Sequence, residues 1–78
     1  MDIVNIVEDK MPFNTQLKRY RNEIGMTQQQ FADKLNITLR AYQNYEQGTR
    51  EPSYDILIRI AKELRVSIDE LLCYTKEE

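Results

Sequence analysis

An all-α domain of five short helices is what this sequence predicts, and three observations predict it. Its 78 residues suffice for one compact domain with one small core. They include only two glycines and two prolines, which stand where helix boundaries would fall. Between those breaks, apolar residues recur three and four apart, the period of a helix with one buried face. Cys73 is the single cysteine and there is no histidine, so neither an intrachain disulfide nor a zinc site is expected to staple the fold. A content of 41% hydrophobic and 31% charged residues is that of a globular chain rather than a disordered one.

The elements follow in order. After Pro12, the stretch from Asn14 to Ile24 sets Leu17, Tyr20 and Ile24 on one face, and Gly25 supplies the left-handed residue that ends a helix. Thr27-Gln28-Gln29-Gln30 reads as a capping box that opens a second helix, with Phe31, Ala32 and Leu35 inward and a stop near Asn36. After a short turn, Thr38 can cap a third helix. Its Tyr42 and Tyr45 share the inner face, leaving Leu39, Arg40, Gln43 and Asn44 largely outward until Gly48 ends it. Pro52-Ser53 starts a fourth helix with the inward stripe Leu57, Ile60, Ala61 and Leu64. Ser67 to Glu70 is a second capping box, opening a short fifth helix with Ile68, Leu71 and Leu72. The domain is thus expected over residues 13–73, with a tail at 74–78. Residues 1–12 read as a leader or arm, in which Ile3, Val4, Ile6 and Val7 leave strand, packed arm and disorder open and Met11 could be an alternative start.

The longest aliphatic run within the domain is Ile56-Leu57-Ile58, against the roughly 20 apolar residues that span a bilayer. No membrane association is expected. The start, Met1-Asp2-Ile3-Val4 followed by Glu8 and Asp9, lacks the basic and apolar regions of a secretory signal, so the expected location is cytoplasmic. The net charge of −2 conceals an uneven distribution. Residues 14–50 carry Lys18, Arg19, Arg21, Lys34, Arg40 and Arg50 against Glu23, Asp33 and Glu46, whereas both flanks are acidic.

Two short helices joined by a tight turn, the second with polar residues outward, have the form of a helix-turn-helix DNA reader. The ordered blocks Gly25-Met26-Thr27-Gln28, Phe31-Ala32-Asp33-Lys34-Leu35, Tyr45-Glu46-Gln47-Gly48, Pro52-Ser53, Ile60-Ala61, Leu64 and Val66-Ser67-Ile68-Asp69-Glu70-Leu71 carry a family resemblance. Over about residues 14–72 the chain resembles the phage repressor and Cro-type helix-turn-helix family, also called the xenobiotic response element family. It departs from the family pattern in its acidic balance and at Asn36 and Arg65, where relatives often carry glycine.

The resemblance implies a compact, five-helix, lambda-repressor-like domain and a set of roles. Gln28 would meet a phosphate at the start of the second helix, where free amides and the helix dipole favour an anion, although plain capping is the bland alternative. Thr38, Leu39, Arg40, Gln43 and Asn44 match the positions that read the major groove, with arginine suited to guanine and asparagine or glutamine to adenine. Leu39 could meet a thymine methyl. A solvated polar face is the bland reading, and the surrounding blocks tell against it. Thr49 and Arg50 are candidate backbone contacts from the following loop. Arg21 and Glu46 correspond to a pair that bridges the first and third helices in relatives, and Tyr42 and Tyr45 to core packing rather than base stacking.

Enzymatic readings find little support. There is no histidine to act as a base, no glycine-rich phosphate loop, and no evident activating partner for Cys73. The expected function is sequence-specific binding of double-stranded DNA by a small transcriptional regulator, a repressor, with no cofactor. The alternative is a helical protein-interaction module, antitoxin-like or an accessory subunit. A homodimer on DNA is expected, with Ile56, Ile58, Leu72 and Tyr74, or Ile3, Val4, Ile6 and Val7, as candidate contacts that could equally complete the core; the resemblance favours Leu72 and Tyr74.

Overall fold

The structure, a computed structural model, describes residues 12–72. They form α1 (Phe13–Glu23), α2 (Gln28–Leu35), α3 (Leu39–Gln47), α4 (Tyr54–Leu64) and α5 (Ile68–Leu71), with no strand among the described residues. The expected arm up to Met11, with Ile3, Val4, Ile6 and Val7, and the stretch from Cys73 onward, with Tyr74, lie outside the described residues.

Every helix contributes to one core. Leu17 comes from α1, Phe31, Ala32 and Leu35 from α2, Tyr42 from α3, Ile60, Ala61 and Leu64 from α4, and Leu71 from α5. Phe31 meets Tyr42 edge to face, with ring centroids 5.4 Å apart and planes at 82°, an arrangement that sets the positive ring edge of one against the negative face of the other. Helix α3 packs against both α1 and α2, while α4 supports α2, and α5 ties α4 to α1. The third helix is therefore gripped on two sides, and the position of its remaining face is set by the whole core.

Helix termini repeat one local device. Gly25, Asn36 and Arg65 all stand in the left-handed region, at φ 75°, 60° and 60°. After each, the next amide reaches back across the last turn: Met26 to Arg21, Ile37 to Ala32 and Val66 to Ala61, at 3.1–3.3 Å. Met26, Ile37 and Val66 then pack against the core, which pins each reversal by an apolar contact. The following residue caps the next helix. Thr27 and Ser67 form complete capping boxes with Gln30 and Glu70, and the Thr38 hydroxyl accepts from the Ala41 amide. The capping predicted for these residues and for Ser53 is present, as is the left-handed stop at Asn36.

Two boundary readings need correction. The first helix ends at Glu23, and Ile24, expected inward, is 42% exposed. Its amide still bonds the Tyr20 carbonyl, but the reversal at Gly25 starts there and leaves the side chain outside the core. Gln16 is buried instead, accepting from Arg19 Nε at 3.0 Å and donating to the Glu70 carbonyl at 3.5 Å. Leu72 stands just beyond α5 rather than inside it and is 41% exposed. Ile56 packs against the core and Ile58 is half-buried.

Candidate nucleic-acid interface

The α2–turn–α3 unit is built by Asn36, Ile37 and Thr38. The first reverses the chain, the second anchors the turn in the core and the third starts α3. Of the residues expected on the reading surface, Thr38 and Arg40 are exposed, whereas Leu39, Gln43 and Asn44 are half-buried. Thr49 and Arg50 are exposed in the loop that follows. That loop folds back on Asn44: its carbonyl accepts from the amides of Gly48, Thr49 and Arg50 at 3.0, 3.1 and 3.4 Å. The Thr49 hydroxyl also lies 3.3 Å from both the carbonyl and Oδ1 of Asn44. Asn44, expected from sequence as an outward residue at a groove-reading position, thus also holds Thr49 and Arg50 against the end of α3.

Beneath this surface lies a connected polar cluster. Arg21 Nε donates to Glu46 Oε2 at 2.6 Å and Arg21 Nη2 to Oε1 at 3.2 Å, a two-pronged ion pair between side chains only 9% and 4% exposed. Arg21 Nη1 also donates to the Met26 carbonyl at 2.8 Å. The Tyr42 hydroxyl donates to the same Glu46 carboxylate, one helical turn away. Gln28 Nε2 donates to Glu46 Oε1 at 2.9 Å, and Gln28 Oε1 accepts from Gln43 Nε2 at 3.2 Å. Asn14 Nδ2 donates to the Glu46 carbonyl at 3.2 Å. Among the described residues, no buried side-chain polar atom lacks a partner.

The cluster sets the charges. Burial would push the Glu46 carboxyl up, but hydrogen bonds from Arg21, Tyr42 and Gln28, with the guanidinium charge, outweigh it and hold the carboxyl below its ordinary value. The hydrogen bond to Glu46 raises Arg21 despite its desolvation. Burial, then the bond to Glu46, pushes the Tyr42 phenol well up, so it remains a donor at every physiological pH.

Sequence reasoning placed Tyr42 in the core for its ring and did not see its hydroxyl at work. The spacing from Tyr42 to Glu46 was the available clue, since residues four apart on a helix are neighbours. It left Gln28 between a phosphate contact and plain capping, whereas its side chain bridges Glu46 to Gln43. Contacts of Asn14 and Gln28 with α3 span 32 and 18 residues and have no local sequence mark.

Residues 17–71 match the helix-turn-helix family. The chain belongs to the phage repressor and Cro-type helix-turn-helix family. Among similar members of the family, the uncharacterized HTH-type transcriptional regulator YqaE of Bacillus subtilis is 52% identical over 77% of this chain and 52% of its own length. The cryptic phage CTXphi transcriptional repressor RstR of Vibrio cholerae is 41% identical over 78% of this chain and 54% of its own. This helix-turn-helix chain therefore spans about half the length of these curated relatives. A transcriptional regulator from Listeria innocua superposes with a TM-score of 0.77 at 36% identity, over 85% of this chain and 62% of the other. The P22 c2 repressor, solved in complex with a synthetic operator, gives 0.78 over 85% of this chain and all of the other; at 20% identity this likeness concerns the fold.

Proposed function

We propose that this helix-turn-helix chain binds specific double-stranded DNA as a transcriptional regulator and represses by occupying its operator. One observation carries the reading: α3 bears exposed Arg40 beside Gln43 and Asn44, while Glu46 on the same helix is locked to α1 through Arg21. Rigidly mounted arginine, glutamine and asparagine side chains are the groups that recognise guanine and adenine edges in the major groove. The exposed Thr38 and half-buried Leu39 complete the reading surface, with Leu39 facing a thymine methyl. Thr49 and Arg50 contact the sugar-phosphate backbone beside it. At the start of α2, Gln28 has one side-chain N–H engaged by Glu46 and a second for a phosphate. The naming of similar proteins as transcriptional regulators and a repressor supports the assignment.

Charge bears on the alternative. A net charge of −2 favours a protein-only interaction module, but residues 12–72 hold nine bases and eight acids, so the excess acid lies in the flanking segments. The proposed mode needs no cofactor and no catalytic group. No helix among the described residues is long and apolar enough to cross a membrane, and action in the cytoplasm is part of the same proposal.

The test is selection of bound duplexes from a random pool, followed by mobility shifts over a salt series. The slope of log affinity against log salt is expected to be about −0.9 per phosphate contacted. Arg40→Ala and Asn44→Ala should each cost about 1–3 kcal/mol and relax preference at one or two base pairs. Unchanged preferences of both variants across a panel of mutated sites would remove α3 as the reading helix. Retention of a protein partner with no duplex shift at any salt would establish the interaction module instead.

A further inference from the structure

We infer that the buried Glu46, acting through Gln28, fixes the amide of Gln43 in one orientation and so makes Gln43 select adenine over guanine and thymine. The inference rests on the proposed DNA-binding role and deepens it. A carboxylate held ionised by Arg21 can only accept hydrogen bonds, so Gln28 must turn its amide nitrogen toward Glu46, as the 2.9 Å contact from Nε2 to Oε1 records. That choice leaves the Gln28 oxygen facing α3, and an oxygen must be met by a donor. Gln43 accordingly turns its nitrogen inward, with Nε2 3.2 Å from Gln28 Oε1. A flipped Gln43 would set two carbonyl oxygens against each other. The single charge on Glu46 therefore determines, across two side chains, which atoms Gln43 has left to offer.

Those atoms are Oε1, an acceptor, and the second N–H, a donor. Adenine presents the complementary pair in the major groove, its N6 amino group and N7, whereas guanine presents two acceptors, O6 and N7, for which one free N–H is too few, and thymine O4 presents no donor to the Gln43 oxygen. An unrestrained glutamine can rotate its amide to suit either class. Held by the relay it cannot, and discrimination results without any new contact to DNA. Gln28 is on this account a positioning residue: a specificity effect at the base pair under Gln43 accompanies its role at phosphate.

The experiment compares the wild type, Gln43→Ala and Gln28→Met, the last of similar length but unable to bridge. Each is assayed on duplexes carrying all four bases at every position of the selected site. Gln43→Ala should abolish an adenine preference at one position. Gln28→Met should lower that preference ratio, adenine over guanine or thymine, by roughly five- to tenfold at the same position, while ratios elsewhere stay unchanged. A general loss of phosphate affinity cancels in the ratio. In the DNA-free protein, NMR of the side-chain amides should show the Gln43 NH2 group shifted and ordered in the wild type and averaged in Gln28→Met. Retention of the full ratio by Gln28→Met, or a Gln43 amide equally ordered without the bridge, overturns the relay although DNA binding stands. A wild type that selects no duplex overturns the DNA-binding proposal itself.

Discussion

The carboxylate of Glu46 accepts from Arg21, Tyr42 and Gln28 at once, and its loss would strand a buried guanidinium. Removing one partner of a buried pair costs about 3–5 kcal/mol, because the remaining charge has lost its compensation. Glu46→Ala should therefore lower the melting temperature by at least about 12 °C, taking about 4 °C per kcal/mol for a domain of this size. Glu63, exposed on α4, should shift it little when replaced by alanine. Equal melting temperatures for the two variants would deny the cluster its structural role. The acid limit belongs to the same residue. A carboxyl whose native pKa lies below its unfolded value contributes stability that is complete above the unfolded value, about 4.3, and is lost as pH falls through the lower native one. Urea unfolding of the wild type and Glu46→Gln should thus converge in stability as pH drops below about 4. A constant difference down to pH 2 would assign the acid transition to other groups.

At the scale of elements, the three reversals at Gly25, Asn36 and Arg65 share geometry but not residue type. Arginine has no side-chain compensation for a left-handed backbone, which costs a residue with a Cβ about 1–2 kcal/mol, whereas glycine loses about 0.5–1 kcal/mol through unfolded-chain entropy. Arg65→Gly should accordingly stabilise by about 0.5–1 kcal/mol, read as a rise of a few degrees in melting temperature. Gly48 is the opposite case. Its φ is 82°, and a Cβ there would come within 3.3 Å of the Asn14 amide group, which holds the Glu46 carbonyl. Gly48→Ala should cost more than about 1 kcal/mol and loosen the end of α3. Stabilisation by alanine at Gly48, or destabilisation by glycine at Arg65, would contradict the backbone account of these termini.

For the whole molecule, the proposed DNA-binding mode implies that one α3 would cover only a few base pairs and that one copy of the domain would discriminate weakly alone. Two copies on a palindromic site, with half-sites about 34–36 Å apart, are the expected assembly. Exposed Leu72 lines a shallow depression with Phe13, Glu51, Pro52 and Leu57, on which a second copy could close. Sedimentation of protein with an intact palindrome should give two chains per duplex at saturation, and one chain when a half-site is ruined. A single chain on the intact site would exclude the dimer. Leu72→Glu should reduce the paired complex while leaving half-site binding in place.

What the sequence determined by itself is whatever closes within one helical turn. Thr27 with Gln30 and Ser67 with Glu70 are three residues apart, so their caps depend on local backbone alone and were legible together with the stops at Gly25, Asn36 and Gly48. The order of helices and most of the core stripe were legible for the same reason, through the 3.6-residue period. The exposure of Thr38 and Arg40 at the start of α3 was legible from the spacing of polar residues, while the half-burial of Leu39, Gln43 and Asn44 was not. Only the tertiary structure decided what those side chains are bonded to. Whether Gln28 Nε2 meets Glu46, or Asn14 meets the Glu46 carbonyl, depends on how α1 and α2 are seated on α3. A hydrogen bond forms or fails within a few tenths of an ångström, and that seating comes from the joint packing of Leu17, Phe31 and Tyr42. The exposure of Ile24 likewise follows from the direction in which the chain leaves α1, which helical periodicity does not encode because the period ends there.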